Sequence, residues 1–281
     1  MTEPRFHPPR PPQPERNRIV KAAGWLLPPL LLGIVLIALY FYARSGLDEY
    51  RRFLMPDHKA LWQGAFASAP VRAELLRAAG VTARIAIAGL GISIPAGMLL
   101  GVLMFRSTWM ERAVAPYLVV LQSIPVLAII PLIQSLLGFG FLPKVLIVAL
   151  FTFFAIPTTL LLGLKSLDPG IRELFRLEGA SWTTTLLKAG IPSALPTLFA
   201  GLRIAASFAV IGAIVSELFF VSGDGGLGQM LINSKIDFLY EQMYAALIVS
   251  AAMSIGVYLF FGWLGHKLFA HWHESGDGGR R

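Results

Sequence analysis

The sequence predicts an all-α membrane protein with six spanning helices. Three observations carry this. Of 281 residues, 56% are hydrophobic and only 14% charged, whereas a soluble domain carries about 25% charged residues. Apolar runs near twenty residues long recur along the chain, and at about 1.5 Å rise per residue each is long enough for a hydrocarbon core about 30 Å thick. Lipid supplies no partner for backbone N–H and C=O groups, so helix is the expected spanning form. The net charge of +8 would point to nucleic acid in a soluble protein, but here the basic residues lie mostly in tails and loops, where a membrane surface accounts for them. The chain has no cysteine, which excludes disulfides, thiol chemistry and cysteine-ligated metal sites.

Residues 1–24 are polar and proline-rich, with Arg5, Arg10, Arg16, Arg18 and Lys21 among six prolines; the expectation is a disordered tail. The first span covers 25–42. It is read as a retained helix and not a cleaved leader, because the preceding tail is long and no small-x-small site follows. Residues 43–81 form a long segment outside the bilayer, punctuated by Pro56, Pro70 and Gly80, with Leu75, Leu76 and Ala79 predicting a short amphipathic helix. The second span covers 82–104. Gly89, Ser93, Gly97 and Gly101 recur every four residues on it, giving one small-residue face for close helix packing. A phosphate-binding loop is excluded there, since no Gly-Lys-Ser/Thr follows.

A short basic loop spans 106–112. The next thirty-one residues, 113–143, hold no charge. Pro125, Pro131 and the glycines at 138 and 140 interrupt them, which predicts a broken or kinked helix over about 115–136 and then a tight turn. The fourth span covers 145–163, kinked at Pro157. The fifth covers 197–220 and repeats the four-residue small face with Gly201, Ala205, Ala209 and Ala213. A polar, glycine-rich loop is expected over 221–240, and the sixth span over 245–265. Six spans put both termini on one side. With the N-terminus inside, the inner segments hold fourteen Lys and Arg against Lys144 and Lys235 in two of the outer loops. Seven in 43–84 go against the positive-inside rule.

Between the fourth and fifth spans lies the one long polar interruption of the second half, Asp168 to Pro196. Asp168 is placed to cap a helix with Pro169 at its first position. Ile171, Leu174, Phe175 and Leu177 make its apolar side, with Arg172, Glu173 and Arg176 outside. Gly179 ends it. Ser181 caps a second short helix, Trp182 to Lys188, expected to stop at Gly190 and Pro192. An amphipathic helical hairpin between two spans is shaped to dock on a soluble partner.

The spacing Glu173, Gly179, Ile191-Pro192 resembles the EAA loop of ABC-importer permeases, written Glu-Ala-Ala, three residues, Gly, nine residues, Ile, any residue, Leu-Pro. Leu174 and Phe175 stand where the alanines belong, Ala189 replaces Ile, and Ile191 replaces Leu. The stretches 121–140, 201–217 and Gly-Leu-Gly at 226–228 are similar to the nitrate/sulfonate/taurine-type group, which also contains permeases for thiamine-precursor pyrimidines and riboflavin. The similarity covers roughly 72–270. It implies a type I importer fold, with a permease core over 82–266, a periplasmic segment over 43–81 and a cytoplasmic tail over 267–281, in a bacterial inner membrane. It implies that Glu173, Gly179, Ala180, Ser181, Ile191 and Pro192 couple to a cytoplasmic ATPase dimer, which would hold the ATP and Mg. It also implies a second permease copy and a periplasmic or lipid-anchored substrate-binding protein.

The residues themselves offer no catalytic set. No histidine falls inside an expected span, no carboxylates pair within one, and no Walker A lysine exists, so ATP hydrolysis must come from elsewhere. A secondary transporter would need inverted repeats or intramembrane ionisable pairs; neither is visible. The intramembrane polar residues are Gln122, Gln134, Arg203, Ser207 and Glu217. Gln122, Pro125, Arg203 and Ser207 are candidates for the pore lining, Arg203 as an attractor of anions or as a residue reaching for the interface. Glu217 is expected at the outer interface.

Overall fold

In the computed structural model, which describes residues 18–220 and 225–273, every regular element is helical. The proline-rich stretch over 1–17, residues 221–224 and the end of the chain over 274–281 lie outside the described residues. The chain divides into two units, one ending at Met55 and one beginning at Pro56. In the first, α1 (Arg18–Ser45) contains the expected first span and a 3-10 segment follows over Glu49–Leu54. Arg44 Nε donates to the Met55 carbonyl oxygen at 2.8 Å, tying the end of α1 to the end of that segment.

The second unit opens with α2 (His58–Leu61), capped by the Asp57 carboxylate, and a π-helical turn over Trp62–Phe66. It continues into α3 (Ala69–Arg106), 38 residues long. The amphipathic helix expected to lead into the second span and the span itself are one element, continuous through position 81/82. Pro70 sits in the first turn, where its missing N–H is no loss. A single glycine costs about 1 kcal/mol in a helix, too little for Gly80 to break one whose face from Leu75 through Ala78, Val81 and Ile85 is buried. The loop foreseen over 106–112 shrinks to Ser107, whose hydroxyl accepts from Met110 N and caps α4 (Thr108–Ser123).

α5 (Val126–Leu137) follows after a bend of 94°. Proline disfavours helical geometry in the residue before it, and Ile124 takes ψ 123° ahead of Pro125. A glycine turn leads into α6 (Phe141–Phe153), then α7 (Ala155–Lys165) past a break at Phe154. The kink expected at Pro157 lies upstream of it, because proline leaves the carbonyl four residues earlier, on Phe153, without a donor. After α8 (Pro169–Leu177) and α9 (Trp182–Thr185), the second arm of the hairpin does not stop at Gly190 and Pro192. A π-helical turn over Leu186–Gly190 carries it into α10 (Ile191–Phe219), so that Trp182–Phe219 is one 38-residue rod. The wider π ladder accommodates Pro192, which has no N–H to donate. The segment foreseen as a polar loop over 221–240 contains α11 (Leu227–Ile236), and α12 (Tyr240–His273) begins earlier than 245.

α10 is the centre of this unit, packing on α3, α6, α7 and α12. Its Ala205, Ala206, Ala209 and Ala213 are fully buried against a core that includes Ile85, Val148, Ile156 and Leu160. α11 packs on α12, α10 and α3 through Leu227 and Met230. Among the described residues, four helices are long and apolar enough to cross a membrane: Ala69–Arg106, Phe141–Lys165, Trp182–Phe219 and Tyr240–Leu268. The bent pair α4 and α5 makes a fifth if it is one span.

Candidate functional site

The hairpin between α7 and α10 is built from local capping chemistry. The Asp168 carboxylate accepts from Gly170 N at 2.6 Å and Ile171 N at 3.4 Å, satisfying donors that a helix start leaves free. At the other end of α8, Gly179 adopts φ 67°. Its N–H donates to the Arg176 carbonyl, and Ala180 N–H donates to the Phe175 carbonyl. This is a Schellman stop, which favours glycine because a left-handed backbone carries a penalty for any Cβ. One residue later Ser181 Oγ accepts from Thr184 N at 3.2 Å and starts α9. Only Ala180 separates the stop of one helix from the cap of the next, so the elbow angle is fixed by backbone hydrogen bonds.

The elbow is held against the end of α3 by two cation–π contacts. The Arg106 guanidinium lies 5.1 Å from the Trp182 ring, and that of Arg172 lies 5.6 Å from the Phe105 ring. A cavity of about 490 Å³ opens beside them, lined by Phe105, Arg172, Arg176, Trp182 and Leu186 among others. Lys165 Nζ bonds Glu111 Oε1 at 2.6 Å, joining α7 to α4. The apolar side of α8 is largely uncovered: the helix has no buried residue, Phe175 is half-buried, and Ile171, Leu174 and Leu177 are 44%, 56% and 78% exposed. Glu173 is also exposed, its carboxylate 3.7 Å from Arg176 Nη1. Glu173, Gly179, Ala180 and Ser181 therefore share one exposed elbow, while Ile191 and Pro192 form the first turn of α10 behind it.

The four residues proposed as pore lining lie in two places. Gln122 and Pro125 are exposed at the break between α4 and α5. Arg203 instead faces α12, its guanidinium 4.3 Å from the Tyr258 ring and its Nε buried without a hydrogen-bond partner. Ser207 Oγ donates to the Arg203 carbonyl at 3.3 Å. The small faces are contact faces. A Cβ on Gly89 would lie 2.5 Å from Val148 Cβ, one on Gly97 2.8 Å from Ile156 Cβ, one on Gly101 3.1 Å from Leu160 Cδ2, and one on Gly201 2.7 Å from Thr159 Cβ. Ser93 Oγ donates to the Ala149 carbonyl at 3.0 Å and accepts from Thr152 Oγ1.

At the end of α10 remote from the hairpin, Glu217 departs from expectation. Near the end of that helix it is not exposed but fully buried within the protein. Thr82 Oγ1 lies 2.9 Å from both carboxylate oxygens, and Gly228 N donates to Oε2 at 2.8 Å. Leu227 N donates in turn to Thr82 Oγ1 at 2.9 Å. Lys144 is also buried. Glu217 and Thr82 thus satisfy the first donors of α11, whose own N-cap, Gly226, has no side chain to do so. The sequence held a signal for this: a carboxylate inside an apolar run, then Leu227, Met230 and Leu231 at helical spacing.

Such a bundle of apolar rods, with an exposed, capped amphipathic elbow between two of them, defines a multi-span membrane protein. Residues 93–270 match the family described as the binding-protein-dependent transport system inner membrane component, and the chain belongs to that family: it is a permease subunit of an ABC importer. It is 31% identical over 86% of its length to a probable ABC transporter permease of Haemophilus influenzae, covering 96% of that protein. It is 30% identical over 92% of its length to the riboflavin transport permease RibX of Chloroflexus aurantiacus, again covering 96%. Permeases named for formylaminopyrimidine, aliphatic sulfonates and osmoprotectants also match. Among solved structures, the MetNI methionine ABC transporter in an inward-facing conformation shares the fold, with TM-score 0.60 at 21% identity, over 71% of this chain and 98% of that one.

Proposed function

We propose that this permease forms the translocation pore of an importer for a small solute, in six spans with both termini inside, as a pair of identical copies. Each copy engages one subunit of a cytoplasmic ATPase dimer through the 168–192 elbow, and a substrate-binding protein delivers solute at the opposite end. ATP and Mg bind to the ATPase, not to this chain. The observation that carries this reading is α8: a short, rigidly capped helix whose apolar side is left largely uncovered beside a cavity rimmed by arginines. ATP binding shifts such a permease only through contacts that differ between its two states, and an uncovered helix on a stiff elbow supplies a place for them. The test is reconstitution with the cognate ATPase and binding protein. Glu173→Ala and Gly179→Asp are expected to insert normally yet abolish uptake, and a Leu174→Cys label is expected to cross-link to the ATPase. Wild-type uptake in both variants refutes the coupling role.

For the solute, a small anion of the nitrate, sulfonate or taurine type is the first reading, supported by Arg203, the one basic residue of the 197–220 span. A second reading, a flat heterocycle such as riboflavin or a thiamine-precursor pyrimidine, is favoured by the near full-length similarity to RibX and by Arg203 already lying over the Tyr258 ring. Uptake of labelled taurine against labelled riboflavin by the reconstituted complex separates the two.

A further inference from the structure

α3 runs back from the hairpin region at Arg106 through Thr82, about a third of the way along it, and α10 runs from the hairpin region to Glu217 near its end. At the near end, Arg106 of α3 lies on Trp182, the first residue of the rod that becomes α10. At the far end, Thr82 of α3 bonds Glu217 of α10, and both hold the start of α11. The stretch between the ties is Thr82 to Arg106 on α3, about 36 Å at 1.5 Å per residue, and Trp182 to Glu217 on the other rod, about 53 Å. Between the two ties no loop interrupts either rod. The approach of α11 is close enough that side chains are excluded at its start: a Cβ on Gly226 would fall on the Glu217 carboxylate, and one on Gly228 would lie 2.8 Å from Glu217 Cβ and against the Ile214 carbonyl.

We infer that Glu217 and Thr82 are positioning residues that make α11 follow the motion of the coupling elbow. The inference rests on the importer reading. A displacement applied at Trp182 moves α10 as a rod, and the Glu217 carboxylate, hydrogen-bonded to Gly228 N and Thr82, carries α11 and α3 with it. The function needs one oxygen that accepts from Gly228 N and a second polar atom that bonds Thr82 Oγ1. An amide supplies one acceptor for Gly228 N and an NH₂ donor for Thr82 Oγ1, whose own hydroxyl hydrogen then goes to the Ala78 carbonyl 3.2 Å away. Glu217→Gln therefore keeps the geometry without the charge, while Glu217→Ala loses it. Thr82→Ser keeps the hydroxyl and Thr82→Val removes it.

The experiment uses the full complex in proteoliposomes, with wild type and the four variants, measuring ATP hydrolysis, solute moved per ATP, and the maleimide labelling rate of Lys235→Cys on α11 with and without trapped ATP. In the wild type, trapping ATP changes the labelling rate. Glu217→Ala and Thr82→Val are expected to hydrolyse ATP yet to move about ten-fold less solute per ATP, within the usual range of coupling between distant sites, and to lose the ATP-dependent change at Lys235→Cys. Glu217→Gln and Thr82→Ser are expected to behave as wild type. Wild-type coupling and labelling in Glu217→Ala overturns the inference. So does failure of both Glu217→Ala and Thr82→Val to assemble, which reduces the contact to a folding staple. A wild-type complex without ATP-driven uptake overturns the importer reading, and the inference with it.

Discussion

Gly89→Ala tests whether the spans are packed backbone to side chain, and Gly91→Ala is its internal control. Both glycines lie in α3, two residues apart. A Cβ at Gly91 meets nothing within 4 Å, whereas one at Gly89 would lie 2.5 Å from Val148 Cβ and closer still to Val148 Cγ1. Carbon atoms prefer separations of about 3.5–4.0 Å, so α3 and α6 would have to part by about 1 Å. Overpacking of this kind costs about 1–3 kcal/mol. Replacing glycine by alanine in a helix gains up to about 1 kcal/mol, and this gain applies to both variants, so their difference isolates the clash. Equilibrium unfolding of the purified protein in mixed micelles, followed by circular dichroism against SDS fraction, measures it. Val148→Ala in the Gly89→Ala background removes Cγ1 but leaves Cβ in place, and is expected to recover only part of the loss. If Gly89→Ala unfolds together with Gly91→Ala, the packing argument for the small faces is wrong.

Other outcomes follow from the same structure. Gly201→Leu meets the β-branched Thr159 and is expected to lower thermal stability by several kcal/mol, read by the temperature at which the detergent-solubilised protein aggregates. Gly179→Ala has open space around it but φ 67°, so its cost is the left-handed penalty of about 1–2 kcal/mol; faster amide exchange through 175–181 and weaker ATPase binding are the readouts. Asp168→Ala removes an N-cap worth about 0.5–2 kcal/mol and is expected to speed exchange in the first turn of α8 alone. Arg203→Gln is expected to slow uptake of an anionic solute more than a neutral one; an equal effect on both removes Arg203 from solute selection.

The elbow was legible because its determinants are local. Asp168, Gly179 and Ser181 each act on backbone groups within five residues, and helix caps leave that signature in any sequence. The small faces were legible for a similar reason, since a four-residue period survives whatever packs against it. The end of the first hairpin arm is legible in the sequence; the end of the second is not. Gly190 and Pro192 look like a stop, yet a π turn absorbs the missing donor and the helix runs on. Pro157 was seen, but its effect appears at the carbonyl it orphans, on Phe153. Least legible was the Glu217 contact. Its partner Thr82 is 135 residues away, and α11 was hidden among glycines that looked like a loop but serve to let backbone approach a carboxylate.

The right-angle break at Ile124 and Pro125 limits where this polypeptide can stand. At about 1.5 Å per residue, the 16 residues of α4 and the 12 of α5 reach about 24 Å and 18 Å, each short of a bilayer about 30 Å thick. The corner exposes Gln122, Ser123, Ile124 and Pro125, and non-helical peptide groups are not tolerated against hydrocarbon. That side of the molecule therefore demands a wet channel or a neighbouring polypeptide. At hydrocarbon depth, a corner facing lipid would leave its peptide groups with neither water nor protein to satisfy them.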